Sequence, residues 1–179
     1  MHRRTLDAEF AGFVRDHRVD LMRTARLLAG GDPHRAEDLV QTALVRAYVA
    51  WGRIRNNDHP VAYVRRSIVN AHIDESRRPW WRRERSVALP PERPSPGAPT
   101  GVGDDVRAAL ASLPPKMRAV VVLRHWLDLS VEQTAEWLGC TEGTVKSQNA
   151  KAVAKLRHLL APDGAPPPTM PVPSGRRSR

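Results

Sequence analysis

The chain has 179 residues, 41% hydrophobic and only 5% aromatic, enough apolar material for one medium domain or two small ones. Its 29 Lys and Arg against 19 Asp and Glu give a net charge of +10, which makes a polyanion the first partner to consider without telling DNA from a membrane surface. A single cysteine, Cys140, excludes an intramolecular disulfide and a cysteine metal cluster. No run has the length of a membrane-spanning helix and MHRRTLDAEF lacks a signal-peptide core, so the expected compartment is the cytoplasm.

From Thr5 to about Leu28, Leu6, Phe10, Phe13, Val14, Leu21, Ala25 and Leu28 recur at helical spacing with one slip, which reads as one helix or two in succession. Gly30 and Gly31 end it. Asp32-Pro33 then supplies a cap with proline in the first helical position. A helix follows from Pro33 to about Trp51, with Ala36, Leu39, Val40, Ala43, Leu44, Ala47 and Val49 as its apolar stripe. Ile54 to His59 reads as a polar loop, and His59-Pro60 starts a third helix running to about Arg78. Val61, Val64, Ile68 and Ala71 share one face of that helix, with Arg65, Arg66, Asn70 and Asp74 elsewhere around it.

Charge concentrates after this point. Residues 61–85 hold seven arginines against three carboxylates, and Trp80 and Trp81 lie inside the run. Arginines mixed with tryptophan can hold phosphates and stack unpaired bases; equally, the tryptophans can close the end of a core. Residues 86–103 are dense in proline and glycine without apolar period and read as a linker.

Beyond the linker, Asp104 to Leu113 forms a helix stopped by Pro114-Pro115, and a second runs from Pro115 to about Leu127. Ser130 and Gln133 then make a capping box, Gly139 ends a short helix, and Thr141 caps the next. The spacing of Ala135, Gly139 and Val145 suits two helices crossing steeply across a tight turn, as in a helix-turn-helix. An αα-hairpin without a DNA role needs the same three residues. What favours DNA is the polar face of the second helix, where Thr144, Lys146, Ser147, Gln148 and Lys151 occupy the turns that enter a major groove. Residues 161–179 are proline-rich and end in GRRSR, a tail expected to be disordered. The fold class is thus all-α: two small helical domains, 1–85 and 104–160, joined by the linker.

Enzyme signatures are absent. There is no GxxxxGK, no HExxH and no nucleophile elbow, and seven histidines are scattered without ligand spacing, so no metal, cofactor or small-molecule substrate is expected. A transcriptional regulator ending in a similar helix-turn-helix is the competing reading. It would need an α/β receiver or a ligand pocket in the first half, where no alternating strand and helix pattern occurs.

Taken together, DPHRAEDLVQTALVRAYVAW, HPVAYVRRSIVNAHIDESRR and LPPKMRAVVVLRHWLDLSVEQTAEWLGCTEGTVKSQ resemble the extracytoplasmic-function group of bacterial RNA polymerase sigma factors, especially an actinobacterial SigE-like subgroup. The resemblance spans Glu9 to Leu160. It implies a first domain, region 2, in which Asp38, Leu39, Gln41 and Arg46 dock the clamp of the largest polymerase subunits. The same domain would open the minus-ten element: Asn56, Asn57 and Asp58 lie in the loop that holds a flipped base of the non-template strand, Asn70 and Asp74 stand beside it, and Arg65, Arg66, Arg77 and Arg78 hold the backbone. It further implies a region 4 that touches the polymerase flap and reads the minus-thirty-five duplex through Lys146, Ser147, Gln148 and Lys151, with Thr144 on a phosphate. The linker would thread the polymerase channels. An anti-sigma factor is a further expected partner. Family members often carry arginine where this chain has Lys146 and Gln148, so no promoter sequence follows.

Overall fold

A computed structural model describes residues 2–56, 59–77 and 103–161. Among them are seven α-helices and no strand: α1 His2–Ala29, α2 Pro33–Ile54, α3 Pro60–Arg77, α4 Asp104–Ala111, α5 Pro115–Val121, α6 Val131–Leu138 and α7 Glu142–Leu160. The expected linker and tail lie outside the described residues, as do Trp80 and Trp81.

The first segment is one continuous helix, roughly 42 Å long at 1.5 Å per residue. It leaves through Gly30 and Gly31, both left-handed at φ +72° and +90°. Asp32 accepts from the Arg35 N–H at 3.0 Å and starts α2, with Pro33 at the first position. Helices α1, α2 and α3 pack on Leu21, Leu28, Val40, Val64, Ile68 and Val69, all nearly or wholly buried. A ring cluster closes the open end of α1 against α2: Phe10 and Phe13 each lie 5.0 Å from Trp51, and Phe10 meets Tyr48 edge-on at 5.2 Å.

Two expectations shift. Ile54, expected in the loop, is buried at the end of α2. Val49, assigned to the buried stripe, is 83% exposed. At 100° per residue it lies about 200° from Ala47, and tertiary packing follows Leu39, Ala43, Ala47 and Trp51 instead.

The second bundle departs from the expected helix in one place. After Val121 the backbone widens into a π-helical turn, Val122–Trp126, in which the Leu127 N–H reaches the Val122 carbonyl at 3.0 Å. This bundle does not close on itself. Leu110, Leu113, Ala119, Val121, Val122, Leu123 and Ala152 belong to the same buried cluster as the first three helices, so a single core runs through both.

Candidate nucleic-acid interface

The turn between α6 and α7 is built from local rules. Ser130 Oγ accepts from the Gln133 N–H at 3.0 Å while Gln133 Oε1 accepts from the Ser130 N–H at 2.8 Å, so α6 begins with its first amides satisfied. Gly139 ends it in the left-handed region at φ +60°, and the Cys140 N–H returns to the Ala135 carbonyl at 3.0 Å. Thr141 then caps α7 by accepting from the Thr144 N–H at 3.2 Å. Val145, fully buried, wedges against Ala135 and Val120. Burial pushes the Cys140 thiol up, which suits a packing role.

With Val145 turned inward, Thr144, Lys146, Ser147 and Lys151 are exposed on α7. Lys146 is tethered by Glu142 at 3.3 Å, and Ser147 donates to the Thr144 carbonyl at 3.2 Å. Gln148 is half-buried, and its Oε1 is shielded without a hydrogen-bond partner. Thr144 and Gln148 line a cleft of about 100 Å³ together with Ile73 and Arg77 of α3.

Residues expected at the minus-ten element divide. Asn57, Asp58 and Arg78 lie outside the described residues. Asn56 is exposed at the end of α2, and Asn70 and Asp74, four apart on α3, face outward together. Asp74 lies 3.8 Å from Arg46. Arg65 is drawn to Asp20 of α1 at 2.5 Å, while Arg66 crosses to Glu136 of α6 at 2.8 Å. Arg77 stands in the cleft.

Of the expected docking residues, Asp38, Gln41 and Arg46 are exposed along α2, on the side away from the core. Glu37 beside them pairs with Arg18 at 2.6 Å, which holds its carboxyl below the usual range. Leu39 is 4% exposed and packs inside the core, because it shares the stripe of Ala36, Ala43 and Ala47. The apolar residues on the outer face of α2 include Val45 and Val49, 64% and 83% exposed. The sequence reading did not single out Val45 and set Val49 in the buried stripe, although Gln41, Val45 and Val49 fall at four-residue steps.

Also missed was a polar joint between the bundles. Arg118, 6% exposed, donates to the carbonyls of Leu110 (2.9 Å), Ala111 (2.7 Å), Leu113 (3.0 Å) and, across the joint, Leu28 (2.9 Å). Among the described residues this buried guanidinium meets no carboxylate; two helix ends supply carbonyls instead. Burial and the nearby Arg35 lower its pKa to about 10, so it stays charged at neutral pH. His72, fully buried, donates from Nε2 to the Pro115 carbonyl at 3.2 Å, and Arg35 reaches its Nδ1 at 3.4 Å. Burial and then Arg35 depress its pKa to about 4, so the ring is neutral.

Known proteins match this arrangement in both halves. Residues 13–82 fit the family described as Sigma-70 region 2, and residues 103–156 fit Sigma-70, region 4. The RNA polymerase sigma-E factor of Streptomyces coelicolor is 41% identical over 158 residues, covering 85% of this chain and 86% of the relative. The chain belongs to the extracytoplasmic-function RNA polymerase sigma factors. SigM of Mycobacterium tuberculosis, a member named as such, is 34% identical over 155 residues, covering 84% of this chain and 76% of SigM. Among solved structures, the sigma factor RpoE of Bartonella quintana, in complex with the anti-sigma factor NepR, shares the fold. Its TM-score is 0.65 at 24% identity, over 87% of this chain and 98% of that one. CnrH in complex with the cytosolic domain of CnrY gives a TM-score of 0.54 at 25% identity, over 86% and 88%. This sigma factor therefore serves transcription initiation through promoter recognition by regions 2 and 4. Among the described residues no helix is long and apolar enough to cross a membrane.

Proposed function

We propose that the chain binds core RNA polymerase and directs it to promoters by reading the minus-thirty-five element as duplex and capturing flipped bases at the minus-ten element. On this reading residues 1–85 act as region 2 and 104–160 as region 4, joined by 86–103, with 161–179 a tail. The outer face of α2, with Asp38, Gln41, Val45, Arg46 and Val49, docks the polymerase clamp, and Leu39 supports it from inside. Region 4 touches the flap. Asn56, Asn57, Asp58, Asn70 and Asp74 serve the flipped base, while Arg65, Arg66, Arg77 and Arg78 hold the non-template strand. Thr144 meets a phosphate, and Lys146, Ser147, Gln148 and Lys151 read the duplex.

The observation that carries this reading is the pairing of Gly139 in the left-handed region with Val145 buried as the wedge, which leaves a polar α7 N-terminal face outward. Support for the first half comes from an outer α2 face that mixes charge with two exposed valines, unusual for a helix facing only water. An anti-sigma partner is proposed because the Bartonella RpoE structure holds one.

Co-elution of the full chain with bacterial core polymerase, without DNA, tests it. One-to-one association that is lost when Val45→Asp and Val49→Asp are combined is the expected result. Homodimers that bind duplex DNA, with no core association, would replace it with the regulator reading.

A further inference from the structure

We propose that Ala150 reads a pyrimidine 5-methyl group in the major groove, so that one position of the minus-thirty-five element is recognised by methyl contact alone. This deepens the reading of α7 as the minus-thirty-five helix and rests on it.

The phase of α7 places the residue. Val145 and Ala152 are fully buried and mark the inner edge of the helix. At about 100° per residue, Ala150 lies about 140° from Val145 and Ser147 about 200°, with Lys146 and Lys151 on either side at about 100° and 240°. All four are exposed. Gln148 and Asn149 are half-buried within about 60° of Val145, one on each side. Gln148 lines the cleft with Ile73 and Arg77, and Asn149 Oδ1 lies 3.0 Å from His125 Nε2 of the π-helical turn. The two amides thus flank the outward face, and Ala150 stands near its centre.

Its polar neighbours are tied back to their own helix. Ser147 donates to the Thr144 carbonyl at 3.2 Å, and Lys146 leans on Glu142 at 3.3 Å. The middle of a recognition helix's outward face comes nearest the groove floor, and a side chain of one carbon lets the backbone approach it. The lysines on either side are long enough to reach phosphates or base edges.

Along that floor the bases present donors, acceptors and one apolar group, the 5-methyl of thymine. A methyl laid against a donor or an acceptor strips it of water and returns no hydrogen bond, whereas against another methyl it buries apolar surface. Ala150 therefore favours thymine over the other three bases. By the same chemistry it cannot tell the methyl of thymine from that of 5-methylcytosine, so cytosine methylation at this position strengthens recognition.

Selection of randomised duplexes by the full chain assembled with core RNA polymerase supplies the preferred minus-thirty-five sequence. Each thymine in it, on both strands, is then replaced singly by deoxyuridine, which keeps the base pair and removes only the 5-methyl. Wild type should lose about fourfold in affinity at one thymine, the effect of one buried methyl. Ala150→Gly should bind the thymine and deoxyuridine duplexes equally at that position. Glycine loosens the helix, but a uniform loss of affinity cancels in that ratio. With a cytosine placed there, wild type should bind the 5-methylated duplex about fourfold more tightly than the unmethylated one.

A selected element without thymine, no deoxyuridine effect at any position, or an effect that persists in Ala150→Gly overturns the proposal. Lys146→Ala combined with Lys151→Ala keeps that failure apart from failure of the underlying reading. Weaker duplex binding by the double variant shows that α7 enters the groove and that only the methyl contact is refuted; unchanged binding shows that α7 is not the reading helix.

Discussion

Protonation of His72 should weaken the fold by an amount that can be isolated. The ring is fully buried, donates to the Pro115 carbonyl and accepts from Arg35, with Glu75 pairing Arg35 on its far side at 2.8 Å and Arg118 nearby. Its folded pKa, about 4, lies below the ordinary 6.5 of an unfolded histidine. Above pH 6.5 both states are neutral and the group adds no pH dependence. As the pH falls below 6.5 the unfolded chain takes up a proton that the folded chain refuses until about pH 4, and stability drops throughout that window. Between pH 7 and pH 5 the loss works out at about 2 kcal/mol, from 1.36 kcal/mol per unit of displaced titration. His72→Gln is the matched control, since its amide can still donate to Pro115 and accept from Arg35 but does not titrate. Urea unfolding of both proteins at the two pH values gives the double difference, in which other titrating groups cancel. A double difference under about 0.5 kcal/mol would show that the ring is not held neutral and would refute the reasoning.

Arg118→Met should cost about 3–5 kcal/mol in urea unfolding, because four carbonyls, three of them in buried hydrogen bonds, lose their donor; a loss below about 1 kcal/mol would mean that the carbonyls find water instead. Arg118→Lys should recover only part of it, since an ammonium cannot fork among carbonyls from two helix ends. Removing the capping hydroxyl with Ser130→Ala should lower stability by about 1 kcal/mol, and an unchanged unfolding midpoint would show that α6 starts without its help. Gln148→Ala should relax preference at one or two upstream positions in a selection from randomised promoters while core binding holds; an unchanged profile would remove Gln148 from the reading surface.

The parts legible in the sequence are those whose causes are local. Ser130, Gln133, Gly139, Thr141 and Val145 lie within sixteen residues, each answers a constraint set by its neighbours, and the structure places each as its spacing implies. Helix α2 shows where locality ends. Leu39 and Val49 are both apolar on a helix whose stripe is broad, and only packing against α1 and α3 decides that one is core and the other surface. Arg118 and His72 were out of reach for a stronger reason. Their partners Leu28 and Pro115 are 90 and 43 residues away, and those partners are backbone carbonyls, which leave no side-chain signature in a sequence. The same holds for the shared core. Each bundle has a sensible apolar pattern of its own, and no pattern reveals that the two patterns merge.

The ties between the two bundles differ in weight. The Arg66–Glu136 pair, with side chains 40% and 65% exposed, is worth at most about 1 kcal/mol, because water screens both charges and two long side chains must be held in one geometry. Resistance to separation therefore resides mainly in the buried joint of Arg118 with the Leu28 carbonyl and in the apolar core that both bundles share.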